Sequence, residues 1–249
     1  MLKNCALAAA TLLFASHSFA QPTFTDGTTI LGHVAHSGGC MAVTDMDDDG
    51  LDDVIQLDNS NHVHVLYQET DGSFTDYDYG VVDTGSEWGW AIGDLTNDGF
   101  KDICSGSYGQ THFLSITARG VSTLTDLDGP TIFTQNMSMA DIDNDGRVDV
   151  FACHDNGHPN IWFTNASGVP VNNNDYIDWT TVSDMPAGDM SGNYGSCFTD
   201  FDNDGDLDLY ISHCRQGIND PGDARRWNRL FVNDGNNNYT DQAADYGVQ

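Results

Sequence analysis

The chain has 249 residues, with 36 Asp against 2 Glu, eight Lys plus Arg, and a formal charge of −30 at pH 7. That balance excludes binding of nucleic acid or an anionic membrane through a basic surface. Eighteen of the 36 Asp fall in four nine-residue windows, 45–53, 94–102, 141–149 and 200–208, whereas an acidic disordered tail would gather them in one block.

Residues 1–20 read as a secretory signal peptide: Lys3 precedes the apolar run Ala6 to Ala15, and Ser18-Phe-Ala20 supplies small residues for cleavage. The run is too short to span a bilayer, and no later segment approaches the roughly 18 to 20 apolar residues a span needs. The expected location is therefore secreted, periplasmic or cell surface, with 21–249 as the mature region. Five cysteines remain there, Cys40, Cys104, Cys153, Cys197 and Cys214; outside the cell one or two disulfides are compatible with that count, Cys197–Cys214 among them.

Helices have little room. The longest mature stretch free of Gly, Pro, Asp and Asn, Gln110 to Arg119, has ten residues, below the mean helix of about 11–12. Between the breakers, β-branched and aromatic segments at 53–57, 62–67 and 208–212 read as strands. The four windows align as DMDDDGLDD, DLTNDGFKD, DIDNDGRVD and DFDNDGDLD, with starts 49, 47 and 59 residues apart. An apolar or aromatic segment precedes each and another follows, so each loop joins two strands, and third strands are expected at 62–67, 160–163 and 228–232. Units near 40–80, 88–124, 137–165 and 194–246, each with three or four short strands, have the length and content of propeller blades. The fold class is all-β, a β-propeller-like array of about four blades of short antiparallel strands.

Carboxylates at loop positions 1, 3, 5 and 9 with Gly at 6 suit a hard cation: Ca2+ takes six to eight oxygens, and the Gly permits the turn that brings in the position-7 carbonyl. Without a cation, two such charges about 4 Å apart repel by roughly 4 kcal/mol at an effective dielectric near 20. Up to four Ca2+ are therefore expected. The first site would use Asp45, Asp47, Asp49 and Asp53, with Leu51 through its carbonyl. The third would use Asp141, Asp143, Asp145, Asp149 and the Arg147 carbonyl, and the fourth Asp200, Asp202, Asp204, Asp208 and the Asp206 carbonyl. The second, Asp94, Thr96, Asp98, Asp102 and the Phe100 carbonyl, should be the weakest, because Thr96 replaces a carboxylate and Lys101 adjoins Asp102. An EF-hand is excluded: its twelfth-position Glu is replaced by Gln56, Ser105, Ala152 and Ile211, and the flanks are strands.

With these loops and flanks the chain resembles the FG-GAP or VCBS-repeat proteins, whose integrin-like propeller blades carry a D-x-D-x-D-G-x-x-D calcium loop between adjacent strands. The best local match is 194–246, through FTDFDNDGDLDLYIS and NRLFVNDG, and the resemblance covers most of 40–246. Such propellers usually have seven blades. Four loops leave two arrangements open: a small closed propeller, with Thr23 to Ile30 completing the last blade, or part of a longer one.

No G-x-S-x-G elbow, H-E-x-x-H or phosphate loop is present. His154 and His213 occupy equivalent repeat positions and suit a blade-edge role; Arg215, Arg225, Arg226 and Arg229 with Trp227 form a cluster that neutralises acidic neighbours or grips an anionic group. The expected function is a secreted or cell-surface calcium-binding repeat protein whose propeller binds protein or polysaccharide in adhesion. The rivals are a propeller-based secreted enzyme, such as a polysaccharide lyase or other hydrolytic enzyme, and a structural piece of a larger surface protein.

Overall fold

Alternating apolar segments cut by Asp-Gly loops fold into short strands and very little helix. The structure, a computed structural model, describes residues 26–32, 40–58, 60–83, 85, 87–179 and 192–249; the leader read at 1–20 lies outside the described residues. The first sheet is β1 (Met41–Thr44), β2 (Asp53–Leu57), β3 (His62–Gln68) and β4 (Phe74–Val81), hydrogen-bonded in that order. The second begins with β5 (Gly89–Gly93) and β6 (Asp102–Gly106); after a two-residue segment, β7 (Tyr108–Gly109), it continues through β8 (Thr111–Ala118) and β9 (Val121–Asp126). The third is β10 (Ile132–Ala140), β11 (Asp149–His154), β12 (Asn160–Thr164) and β13 (Pro170–Asn172), and β7 pairs onto the start of β10. The fourth is β14 (Asn193–Thr199), β15 (Asp208–His213), β16 (Arg229–Asn233) and β17 (Tyr239–Asp241). All pairings are antiparallel and, apart from β6 with β8 and β7 with β10, join chain neighbours, which makes four propeller-like blades. The second sheet carries a third strand, β8, that the sequence pattern does not announce.

Parity along the second strand of each sheet decides which neighbour it packs against. In β6, Ile103 joins a core shared with the first sheet, while Cys104 joins one shared with the third. In β11, Val150 and Ala152 face the second sheet, and Phe151 and Cys153 face the fourth. Both strands are therefore apolar on both faces, and every residue of β6 is buried. Among the described residues, core clusters join first to second, second to third and third to fourth sheets, and none joins the fourth to the first. The sheets also approach closely: a Cβ on Gly89 would stand 3.0 Å from the Asn136 backbone, so only glycine fits there.

Two expectations change. Thr28–Leu31 forms a four-residue helix, α1, and the last sheet is completed by β17, so residues 26–30 supply it no strand. The turn at 233–238 already places a strand at that edge. A second four-residue helix, α2 (Ala243–Tyr246), buries Ala243 against Leu230 and Val232. Cys40, Cys104, Cys153, Cys197 and Cys214 are free thiols. Cys197 pairs in register with Tyr210, which puts Cys214 about 13 Å further along at strand rise, beyond disulfide reach.

The joint between third and fourth sheets depends on Phe151, fully buried and packed edge-on to Trp179 and Phe198 at 6.4 and 5.3 Å between ring centres. Phe151→Ala is expected to lower unfolding stability by about 3–5 kcal/mol in denaturant titration; a loss under about 1 kcal/mol would show that the two sheets do not share a core.

Candidate functional site

Each Asp-Gly loop connects the first two strands of its sheet, with residue 9 opposite the last residue of the first strand, as in Thr44 with Asp53 and Ala140 with Asp149. The loop geometry repeats. The position-1 carboxylate accepts hydrogen bonds from the backbone N–H groups of positions 5 and 6: Asp45 from Asp49 and Gly50 at 3.2 and 2.8 Å, Asp141 from Asp145 and Gly146 at 2.9 Å each. The position-5 carboxylate accepts from position 7, as in Asp49 with Leu51 and Asp204 with Asp206. These bonds turn the position-7 residues Leu51, Phe100, Arg147 and Asp206 around the loop. Position 4 takes positive φ, between 55° and 62°, at Asp48, Asn97, Asn144 and Asn203. Asn and Asp adopt that left-handed conformation more readily than other non-glycine residues, which explains residue types the ligand pattern leaves free.

The ninth position ties the loop to the sheet. Asp53, Asp102, Asp149 and Asp208 are each 0% exposed. One carboxylate oxygen of each accepts the N–H of position 2, and the other accepts an N–H of the sheet's third strand. For Asp53 the donors are Met46 and Gln68, both at 2.8 Å; for Asp102, Leu95 and Ile116; for Asp149, Ile142 and Thr164; for Asp208, Phe201 and Asn233. A single buried side chain thus ties the loop to two strands. Burial, reinforced by the charges of Asp47 and Asp49, pushes the Asp53 carboxyl up to about 6 despite its two N–H donors. Asp149 is likewise pushed up to about 6, first by burial and then by Asp143.

The structure brings positions 1, 3 and 9 together in three loops: Asp45, Asp47 and Asp53; Asp141, Asp143 and Asp149; Asp200, Asp202 and Asp208, each trio with one oxygen per residue within 4.8 Å of the others. Among the described residues, Asp94, Asp98 and Asp102 form no such trio, Thr96 having no carboxylate to complete it. The third-position oxygens Asp47 Oδ1, Thr96 Oγ1 and Asp143 Oδ1 are buried without hydrogen-bond partners, which is the fit a cation needs. Asp49 and Asp145 lie outside the trios and meet arginines instead, Asp49 pairing with Arg119 at 3.2 Å and Asp145 with Arg147. Arg119, at the end of β8, also binds Asp47 and Glu69 and lies 4.6 Å over the Tyr67 ring. Nothing in sequence spacing signals that contact across 72 residues. Loops of adjacent sheets touch: the Lys101 N–H donates to the Met46 carbonyl at 2.8 Å, and a cleft of about 170 Å³ separates the third loop from the fourth.

Among the described residues the histidines gather at the opposite rim, at the far end of a second or third strand or, for His158, in the turn between β11 and β12. Asn193 pairs with His213 Nε2 at 2.7 Å, and the Phe133 N–H donates to His154 Nδ1 at 3.0 Å, a structural use at the blade edge. A cavity of about 630 Å³ opens there, lined among others by His154, His158, Asn174, Asp175, Asp178 and Trp179. Of the arginine cluster only Arg229, 1% exposed, is buried, paired with Asp241 at 2.7 Å; Arg225 pairs with Asp223 at 2.6 Å, and Arg226 is exposed.

With calcium chelated, the Asp53 and Asp149 carboxyl carbons are expected to titrate near pH 6 by NMR. Their unfolded value is about 3.9, so the folded state holds the protons longer. The stability from these groups is present below about pH 4 and is lost as pH rises through 6. His154 and His158, held below 6.5 by burial, act in the opposite sense, so site-resolved titration is the decisive reading. Midpoints at or below 4 would contradict the burial effect.

A profile of the FG-GAP-like repeat family matches residues 45–105 and 141–211. Cartilage acidic protein 1 of Xenopus tropicalis is 32% identical over 181 residues, covering 64% of this chain and 26% of that protein. Its counterpart in Mus musculus is 29% identical over 196 residues, covering 72% and 29%. The chain therefore spans under a third of the curated relatives it matches. Among solved structures, one from Agrocybe aegerita, described as a lectin specifically recognising non-reducing terminal N-acetylglucosamine, superposes with a TM-score of 0.53 at 18% identity. It covers 80% of this chain and 50% of that one, a likeness of fold. Two matched stretches, each holding two Asp-Gly loops and together spanning more than half of the sequence, place this chain in the FG-GAP-like repeat family.

Proposed function

We propose that the protein is an extracellular binding module whose blades are held by calcium in the four Asp loops. The observation that carries this is the set of three converging carboxylate trios, two of which hold a buried third-position oxygen, Asp47 Oδ1 and Asp143 Oδ1, that no protein group satisfies. Ca2+ supplies what they lack, taking six to eight oxygens at about 2.3–2.6 Å. In the first, third and fourth loops the ligands are the carboxylates of positions 1, 3, 5 and 9 with the position-7 carbonyl; the loop at 94–102 is the weakest. Arg119 shares Asp47 and Asp49 with the first ion, so that site binds less tightly than the third. The signal peptide read at 1–20 supports export, where calcium is abundant.

The bound partner is a neutral or amino sugar at the rim away from the loops. The 630 Å³ cavity is of ligand size. Its lining offers carboxylate, amide and imidazole groups, which suit sugar hydroxyls, while Asp175, Asp178 and the −30 overall charge repel uronic and sulfated chains. Recognition of N-acetylglucosamine by the lectin that shares the fold is consistent with this choice. A protein ligand is the second reading.

Saturating a calcium site to about 100 times its dissociation constant adds roughly 2.7 kcal/mol. The melting temperature should therefore drop sharply in chelator and recover with Ca2+, and Asp143→Asn should remove one ion from the calorimetric stoichiometry. A melt indifferent to chelator would sink the calcium assignment. On a glycan array the calcium-loaded protein should retain neutral or amino sugars, and Asp178→Ala should reduce that signal at least tenfold; binding confined to acidic glycans would overturn the sugar reading.

A further inference from the structure

A second cluster lies on the far rim, at the junction of the first and second sheets, away from every Asp-Gly loop. The connection from β4 to β5 carries Asp83 and Glu87, and His112 is the second residue of β8. One donor atom from each of the three lies within 4.8 Å of the others.

Each group is prepared for a ligand in a way that the calcium loops are not. His112 is 7% exposed, and its Nδ1 stands 3.0 Å from Asp126 Oδ1. Nδ1–H donates to that carboxylate, which leaves Nε2 with its lone pair. Nε2 is buried and has no hydrogen-bond partner, the nearest carboxylate oxygen, Asp83 Oδ2, being 3.7 Å away. Glu87 is 4% exposed, and neither of its oxygens makes a hydrogen bond of normal geometry. Burial, then the charge of Asp83, pushes its carboxyl up to about 8, with the Ser105 hydroxyl easing it in part. Among the described residues no Lys or Arg pairs with Glu87; the second sheet's Lys101 and Arg119 sit at the other rim, on Asp45 and on Asp47, Asp49 and Glu69. Asp83 is steadied by the Ser107 hydroxyl at 3.3 Å.

A buried carboxylate without a counter-charge is costly, and so is a buried imidazole lone pair without a partner. One divalent cation relieves both. The imidazole donor argues against Ca2+ and Mg2+, which take oxygen ligands, and favours a metal that accepts nitrogen and carboxylate together. Zn2+ does so at about 2.0–2.2 Å, commonly with three protein ligands and one open position. The Asp126–His112 pair is the outer carboxylate that orients a zinc-binding histidine and raises its basicity.

We propose that Asp83, Glu87 and His112 form a zinc site, with Asp126 as the positioning residue and water in the fourth place. The ion pins Asp83 and Glu87 to β8, joining the first two sheets at the rim where no calcium loop reaches. The neighbouring cluster of His62, His64 and Asp78 is not the site. There two of the cluster's own members already satisfy each other, His62 Nδ1 facing both Asp78 oxygens at 2.9 Å, and Asp78 is half exposed.

The test is zinc titration of the whole chain, saturated with Ca2+ so that the loops are filled, against a competing chelating indicator, with metal content measured after dialysis. One zinc per chain is expected. Glu87→Gln and His112→Ala should lose it while keeping the calcium-dependent melt, and His62→Ala should bind zinc like the wild type. Asp126→Asn changes a side chain 73% exposed, so it tests the site even if a buried variant fails to fold; its zinc affinity should fall about 10–100-fold. No zinc uptake by the wild type would overturn the proposal. So would uptake that survives Glu87→Gln and His112→Ala, or that disappears in His62→Ala.

Discussion

In each sheet one fully buried aspartate accepts two backbone N–H groups, one from its own loop and one from the end of the third strand. Leaving either donor unmade would cost about 1–3 kcal/mol, and no other residue type reaches both from that position with two acceptor oxygens. The loop cannot reorganise without breaking the sheet, and the sheet cannot slip register without losing the loop. Of the position-2 residues whose N–H the aspartate captures, Met46, Leu95 and Ile142 are buried, while Phe201 is exposed.

That same carboxylate is why charge and fold are inseparable here. Its burial raises its proton affinity, while positions 1 and 3 bring further carboxylates to within a few ångströms. A protein with eight basic residues cannot neutralise so many acids internally. Arg119 reaches one loop from the neighbouring sheet and Arg147 neutralises its own; the fourth loop has no such arginine among its described ion pairs. The converging carboxylates form groups that could hold a metal ion, on a fold already held by backbone hydrogen bonds.

The two rims divide the chemistry. Hard oxygen donors gather where first and second strands join, and histidines gather at the opposite ends of those strands. This division follows from chain direction: a residue a few positions after the loop lies at the far rim in every sheet. The cavity beside His154 and the cluster around His112 are both on that side.

Much of this was written in the sequence. The four nine-residue loops, their flanking strands, the repeat length and the class of fold follow from local patterns, since a turn that needs Asp, Asn and Gly at set positions leaves its mark in consecutive residues. Even the facing of Cys104 and Cys153 toward the next sheet follows from strand parity. Tertiary structure alone decided what joins distant residues: Arg119 with Asp47, Glu87 with His112, and a Cys197 separated from Cys214 by strand register. Those contacts depend on how one sheet packs against the next, and packing between surfaces leaves no period in a single chain for spacing to reveal.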